Sequence, residues 1–332
     1  MGRTAWVVGE TLSRFLCLIL ETVPLKSIGC PEMAACIWRH LLWRHVKSST
    51  FHQRSASIYS GTHGFDENEI KEKLRCFHGG SIDLSKGNNG IAVLTVNNPC
   101  RMNAFTGTMM LELQDRVTEL EGWADGKGLI VHGANNTFCS GSDLNTVKAI
   151  SSPEEGLKMC MFMQNTLTRL KRLPLISVAL VQGKALGGGA ELSTACDFRL
   201  MTPGSEICFV QKHMGLVPGW GGGARLVQII GSQQALKVLS GTLRMDSSKA
   251  INIGLIDFIL PPAEDRALEE AQQWLSQYTS GPAEVVQGIK KVVTSGRELL
   301  LVDALKSEKD MFGRLWGGPA NLQALARGTK HK

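Results

Sequence analysis

Apolar residues recur with two different periods along this chain, and the changes of period mark its elements. Residues 91–96 (IAVLTV), 128–131 (GLIV) and 175–181 (LISVALV) are short, predominantly apolar runs, the pattern of strands buried on both faces. Between and before them the period lengthens. Residues 67–77 mix charge with Ile70 and Leu74, and 102–120 carry Met109, Leu113, Val117 and Leu120 at helical spacing. A third helix is predicted over 156–172, stopped by Pro174. Short strands follow at 198–201, 207–209 and 255–260, with helices at 223–230, 233–239 and 247–253. Beyond Pro261-Pro262 the pattern is helical throughout, over 263–278, 282–295 and 298–313. Alternating strands and helices, then helices alone, predict an α/β core with a C-terminal helical extension.

Turn chemistry sharpens this picture at two corners. Residues 175–196 read LISVALVQGKALGGGAELSTAC, so a strand ends near Val181 and a glycine-rich turn leads into Ala190-Glu191-Leu192. Glycines let backbone N–H groups approach a ligand, and the start of a helix leaves such groups unpaired. A corner of this kind holds an anion, or an oxygen that becomes one during a reaction. A tight turn with no ligand is the plainer alternative. Upstream, Cys139-Ser140-Gly141-Ser142-Asp143-Leu144 forms a second bend of similar design after a strand. Spacing alone does not say whether the two meet.

Composition narrows the function. Of 332 residues, 43% are hydrophobic and 20% charged, which is globular composition. The net charge of +6 is concentrated near the N-terminus, where 33–65 contain no acid while holding Arg39, Arg44, Lys47 and Arg54. Elsewhere no basic block is interleaved with aromatics, so nucleic-acid binding has no support. The nine cysteines are scattered singly without metal-ligand spacing, which predicts no structural metal and a reducing compartment. Cys139, Cys160, Cys196 and Cys208 stand in apolar sequence, where packing is the usual role. Residues 15–20 (FLCLIL) are too short to span a bilayer. The basic, Ser-rich stretch 33–60 has the features of a mitochondrial presequence, and Met33 offers a second start; an unconstrained extension has the same composition.

Four segments carry a family resemblance: 97–105 (NNPCRMNAF), 138–144 (FCSGSDL), 183–197 (GKALGGGAELSTACD) and 214–225 (MGLVPGWGGGAR). In this order they resemble the crotonase, or enoyl-CoA hydratase/isomerase, superfamily, from about residue 90 to 260. The resemblance implies a spiral of ββα units with a C-terminal helical trimerisation region, hence a homotrimer or a dimer of trimers. It divides the chain into an N-terminal extension (1–66), an acyl-CoA-binding core (67–262) and a helical oligomerisation region (263–332). An acyl-CoA thioester is the implied substrate, with its carbonyl oxygen held by the N–H groups of Ser142 and Gly188. The CoA arm is expected to pass Arg101, Ala104, Ser140 and Leu144. No separate cofactor is implied, because CoA is part of the substrate. The resemblance also implies the cytosol, against the mitochondrial character of 33–60, and the cytosol is the expectation adopted.

The remaining groups choose the reaction. Glu191, three residues after Gly188, matches one of the two acid/base glutamates of the hydratases. The second falls at His213, so the carboxylate pair that adds water is incomplete, although a histidine moves protons. Decarboxylation of a substituted malonyl-CoA needs no such pair, since the thioester itself takes up the electrons. Within the superfamily, residues 211–222 (QKHMGLVPGWGG) and 316–321 (WGGPAN) suggest a closer likeness, which implies ethylmalonyl-CoA as substrate, butyryl-CoA as product, methylmalonyl-CoA as a poorer substrate, and a role in metabolite repair. Trp220 is a candidate dry wall beside the departing carboxylate, or simply a packing residue. Glu191 either repels that carboxylate when ionised or, protonated by burial, donates to the α-carbon; as a helix-terminal acid it has an ordinary role too. Asp197 reads as a structural hydrogen-bonding residue. A hydratase or isomerase is the enzymatic alternative, and a non-catalytic acyl-CoA-binding scaffold the other.

Overall fold

The computed structural model describes residues 58–262 and 266–328. The apolar run at 15–20 and the basic stretch up to residue 57 lie outside the described residues, as do 263–265. Among the described residues no helix is long and apolar enough to cross a membrane.

Six strands form the main sheet in the order β1 (Ser81–Lys86), β2 (Ile91–Asn97), β3 (Gly128–Gly133), β4 (Ile176–Val181), β6 (Phe198–Met201) and β9 (Phe258–Ile259). The first pair is an antiparallel hairpin and every later pairing is parallel. A second, three-stranded sheet joins β5 (Lys184–Leu186), β7 (Glu206–Cys208) and β8 (Met245–Asp246). Side-chain alternation divides the core. Leu129, Val131, Ala179 and Val181 enter one cluster with Met109, Leu113, Phe162 and Leu167 from the helices. Ile130, Val178, Leu180 and Leu200 face the other way, onto Ala267, Ala271 and Leu275. Strands covered on both faces have no solvent-facing polar side, which is why they read as predominantly apolar runs.

The helices follow their end signals. In α1 (Glu67–Arg75), Asp66 accepts the N–H of Asn68, acids fill the first turn and Lys73 and Arg75 the last. The helix predicted from Met102 begins only at Gly107, as α2 (Gly107–Glu121), because Met102 and Asn103 take left-handed φ of 50° and 54°. Thr106 caps it through Met109 N–H. A short α3 (Leu144–Ala149) precedes α4 (Pro153–Arg172), which starts on a Ser152 cap with Pro153 at its first position. After α5 (Gly188–Ser193), α6 (Gly222–Gly241) breaks at Gly231 (φ 76°, ψ 163°), matching the two helices read there separately. The strand expected over 255–260 shrinks to β9; Leu255, Ile256 and Leu260 are instead buried by the turns around it. Beyond α7 (Ser247–Asn252) come α8 (Ala267–Thr279), α9 (Ala283–Glu298), α10 (Leu301–Leu315) and α11 (Pro319–Ala326). The last two leave Leu301, Leu305, Phe312, Leu322 and Leu325 exposed in the single chain.

Asp197 has the structural role expected of it. Its carboxylate accepts from Ser177 N–H and Oγ and pairs with the buried Lys290 of α9, fastening that helix to the sheet. Lys171, in the last turn of α4, is buried with its Nζ 3.3 Å from Gln228 Oε1. Burial first, then the charges of Arg297, Arg225 and Arg199, push its ammonium down from 10.5 to about 7. Between those values the unfolded chain holds a proton that the folded chain has released, so stability climbs as pH rises through this window. Lys171→Met is expected to raise the melting temperature at neutral pH by roughly 2–4 °C for each kcal/mol recovered. It should also flatten the climb, and melting curves of both proteins at about pH 6 and about pH 9 test this. An identical slope in the two would exclude Lys171 as its source.

Candidate active site

The two glycine bends meet. After β3 the chain pairs at Cys139, whose N–H donates to Lys184 C=O (3.0 Å) and whose C=O accepts from Leu186 N–H (2.9 Å). Gly141 then turns with φ 98°, a conformation that side chains disfavour. Its C=O accepts from Phe105 N–H and Phe105 C=O accepts from Asp143 N–H, both at 2.8 Å. With its neighbours' groups turned toward Phe105, the N–H of Ser142 between them faces the opposite way. On the other bend, Gly187 (φ 51°, ψ −117°) gives its N–H to Cys208 C=O at 2.9 Å and leads into Gly188. A Cβ on Gly141 would stand 3.0 Å from the nitrogen of Gly188, so bare main chain touches bare main chain here. Gly189 is equally constrained, since its Cβ would fall 2.1 Å from Cys139 C=O. Among the described residues, the N–H groups of Ser142 and Gly188 donate to no protein acceptor.

Trp220 closes this corner. It is 3% exposed, packs edge-on against Phe105 at 5.7 Å between centroids, and covers Gly188 so closely that a Cβ there would lie 2.8 Å from its ring. The loop carrying it is held by Glu191, which is 2% exposed. Glu191 Oε1 accepts from Gln211 Nε2 (2.8 Å) and Gly219 N–H (3.2 Å), and Oε2 from Trp220 N–H (2.7 Å) and Gly222 N–H (2.8 Å). Burial raises the Glu191 carboxyl above the usual range, while the donors and the charge of Arg225 pull it back. Arg225, pushed down by its own burial to about 10, donates to Thr194 Oγ1, Glu191 C=O and Trp220 C=O. Gly219 C=O in turn accepts from Gln164 Nε2 (2.9 Å) and from the Cys160 thiol (2.8 Å).

Ser142, Gly188, Glu191 and Trp220 therefore lie together at this corner. The second group lies beside them, on paired loops: Ser140 N–H donates to Met102 C=O at 3.0 Å and Ser140 Oγ to Arg101 C=O at 3.3 Å. Arg101 Nη1 is 2.6 Å from Asp143 Oδ2, so it ties the two loops with half its side chain exposed. Ala104 is buried and Leu144 is exposed. His213 differs. It sits exposed on the short 3-10 turn Val210–Met214, and the residue of that turn in contact with Glu191 is Gln211. Sequence reasoning missed Gln211, Arg225, Gln164 and the buried Asn103, whose amide joins Asn98 N–H to Ala134 C=O and Thr137 C=O. Arg225 closes the segment 214–225 and Gln211 precedes it by three residues, but which side of a turn faces inward is set by tertiary packing. A cavity of about 340 Å³ lined by His132, Asn135, Asn136, Gln182 and Leu268 shares no residue with this cluster, so volume alone does not locate the site.

Comparison with known proteins gives a consistent picture. The profile of the enoyl-CoA hydratase/isomerase family matches residues 86–317. The chain is 65% identical over 299 residues to the ethylmalonyl-CoA decarboxylase of Gallus gallus, covering 90% of this chain and 100% of that one. The Homo sapiens protein of the same name is 61% identical over 285 residues, with 86% and 93% covered. Among solved structures, an enoyl-CoA hydratase from Bacillus anthracis superposes with a TM-score of 0.68 at 25% identity, over 74% of this chain and 96% of that one.

Proposed function

The chain belongs to the enoyl-CoA hydratase/isomerase family, and we propose that within it the protein is a decarboxylase of ethylmalonyl-CoA. The contact between Gly141 and Gly188 carries the thioester-enolate chemistry of this reading, because it brings two undirected N–H groups to one corner beneath Trp220, and the exposed His213 where a hydratase has its second glutamate favours decarboxylation over hydration. A thioester carbonyl oxygen placed there accepts from Ser142 N–H and Gly188 N–H. The bond from the α-carbon to the carboxylate breaks, carbon dioxide departs, and the electron pair passes through the α-carbon onto that oxygen. The two donors stabilise the enolate as its charge develops. A proton then reaches the α-carbon and butyryl-CoA remains. The electron sink belongs to the substrate, so the reaction calls on no cofactor.

Trp220 and Phe105 line the corner with aromatic surface, where a carboxylate is poorly solvated and neutral carbon dioxide is not. Glu191 braces the Trp220 loop and, with its carboxyl raised by burial, exchanges a proton with the substrate. Gln211 is the one of its four donors able to turn its amide and accept from a protonated Glu191; the other three are main-chain N–H groups. His213 is left as a group at the rim. The loops bearing Arg101, Ala104, Ser140 and Leu144 receive the CoA arm. The exposed apolar residues of α10 and α11 suit a trimer or a dimer of trimers, in which they become covered. Methylmalonyl-CoA is the poorer substrate in this reading, the role is metabolite repair, and the site of action is the cytosol.

Offering the purified protein ethylmalonyl-CoA and crotonyl-CoA separately is the direct test. Carbon dioxide and butyryl-CoA are expected from the first, with little hydration of the second. Hydration of crotonyl-CoA without release of carbon dioxide would replace this reading with a hydratase. Binding of both without turnover would replace it with a scaffold.

A further inference from the structure

The peptide between Gly219 and Trp220 is gripped from both sides. Its N–H is held by Glu191 Oε2 at 2.7 Å, and its C=O by Gln164 Nε2 at 2.9 Å and the Cys160 thiol at 2.8 Å. The orientation of this peptide sets where the Trp220 ring lies over Gly188. Gln164 is itself oriented from a distant part of the chain. The Tyr59 hydroxyl donates to Gln164 Oε1, which leaves the amide nitrogen facing Gly219. Tyr59 is in turn fixed beside α4. Its own N–H and that of Ile58 donate to Asn165 Oδ1 at 3.3 and 2.9 Å, and its ring meets Phe65 and His63 edge-on. A chain of hydrogen bonds thus runs from residue 59 to the wall of the active site.

We propose that Tyr59 is a positioning residue for the reaction, acting through Gln164 on the peptide that carries Trp220. It touches no reacting atom. Its hydroxyl selects the amide orientation of Gln164, and that amide holds the Gly219 carbonyl. Segment 58–65 is on this account part of the active-site framework rather than an appendage to the fold. The inference rests on the decarboxylase reading above for its kinetic readout, and on the hydrogen bonds alone for its second readout.

The test uses the full chain carrying Tyr59→Phe, which removes one oxygen and keeps the ring contacts. Turnover of ethylmalonyl-CoA is expected to fall about three- to ten-fold, the scale of one lost hydrogen bond, with KM nearly unchanged. Amide hydrogen exchange of Trp220 and Gly222 should quicken while that of β3 and β4 stays as it was. Gln164→Leu should reproduce both effects, and adding Tyr59→Phe to it should change neither further. Unchanged turnover, or unchanged exchange at Trp220 and Gly222, overturns the proposal. If the wild-type protein releases no carbon dioxide, the decarboxylase reading fails by itself and the exchange measurement still decides the role of Tyr59.

Discussion

Gly188→Pro is expected to reduce carbon dioxide release by at least ~10²–10³-fold, the effect of losing one oxyanion donor. Proline is tolerated at the first position of a helix, which Gly188 occupies in α5, so the secondary structure there survives. Its ring removes the N–H that would meet the thioester oxygen. It also constrains Gly187, whose ψ of −117° suits a glycine and not the residue before a proline. A Cβ at position 188 meets the Trp220 ring at 2.8–3.0 Å as well. Gly188→Ala separates the two causes, since it keeps the donor and adds only the contact with the ring. The alanine protein should retain markedly more turnover than the proline one, with circular dichroism verifying that both are folded. A folded proline variant that works nearly as well as wild type would remove the N–H of Gly188 from the mechanism.

Glu191→Gln should lower turnover by ~10²-fold or more, within the range for losing a general acid, with a smaller change in KM. Each carboxylate oxygen accepts two N–H groups, so an amide must turn its own NH2 toward one of those pairs. The pair at Oε1 gives way most easily, because Gln211 can reverse its amide while only Gly219 N–H loses its acceptor. That leaves about 1–3 kcal/mol of lost stability and keeps Trp220 and Gly222 bonded to the remaining oxygen. A brace without a proton to give would show the stability loss with turnover nearly intact, and that result would exclude Glu191 as an essential acid.

Much of the fold was legible because glycine and proline punctuate it and because buried strands leave predominantly apolar runs. The break at Gly231, the strands at 128–133 and 176–181 and the C-terminal helices all follow from such local marks. Strand β1 did not show, since only Ile82 of its six residues is buried and, Leu84 apart, polar residues fill the rest. Strand β5 hides inside the glycine turn as three residues. At the site, Gly188 and Glu191 were carried over from the family resemblance, whose motif they match three residues apart on one short helix. The brace was not, because Gln211, Gly219, Trp220, Gly222 and Arg225 converge on Glu191 from 20 to 34 positions away. Over a 3-10 turn the inward direction changes within two residues, and so Gln211 contacts Glu191 while His213 lies on the surface.

Where Gly141 abuts Gly188, no side chain stands between the two bends, and the spacing of the donors is set by peptide geometry alone. In the proposed mechanism, substitutions at 191, 211, 213 or 220 would therefore alter what surrounds the thioester while leaving in place the main-chain groups assigned to its oxygen. A lineage built on such a cradle can exchange one carbanion chemistry for another by retooling a handful of neighbours, inheriting the hardest part of the catalyst intact.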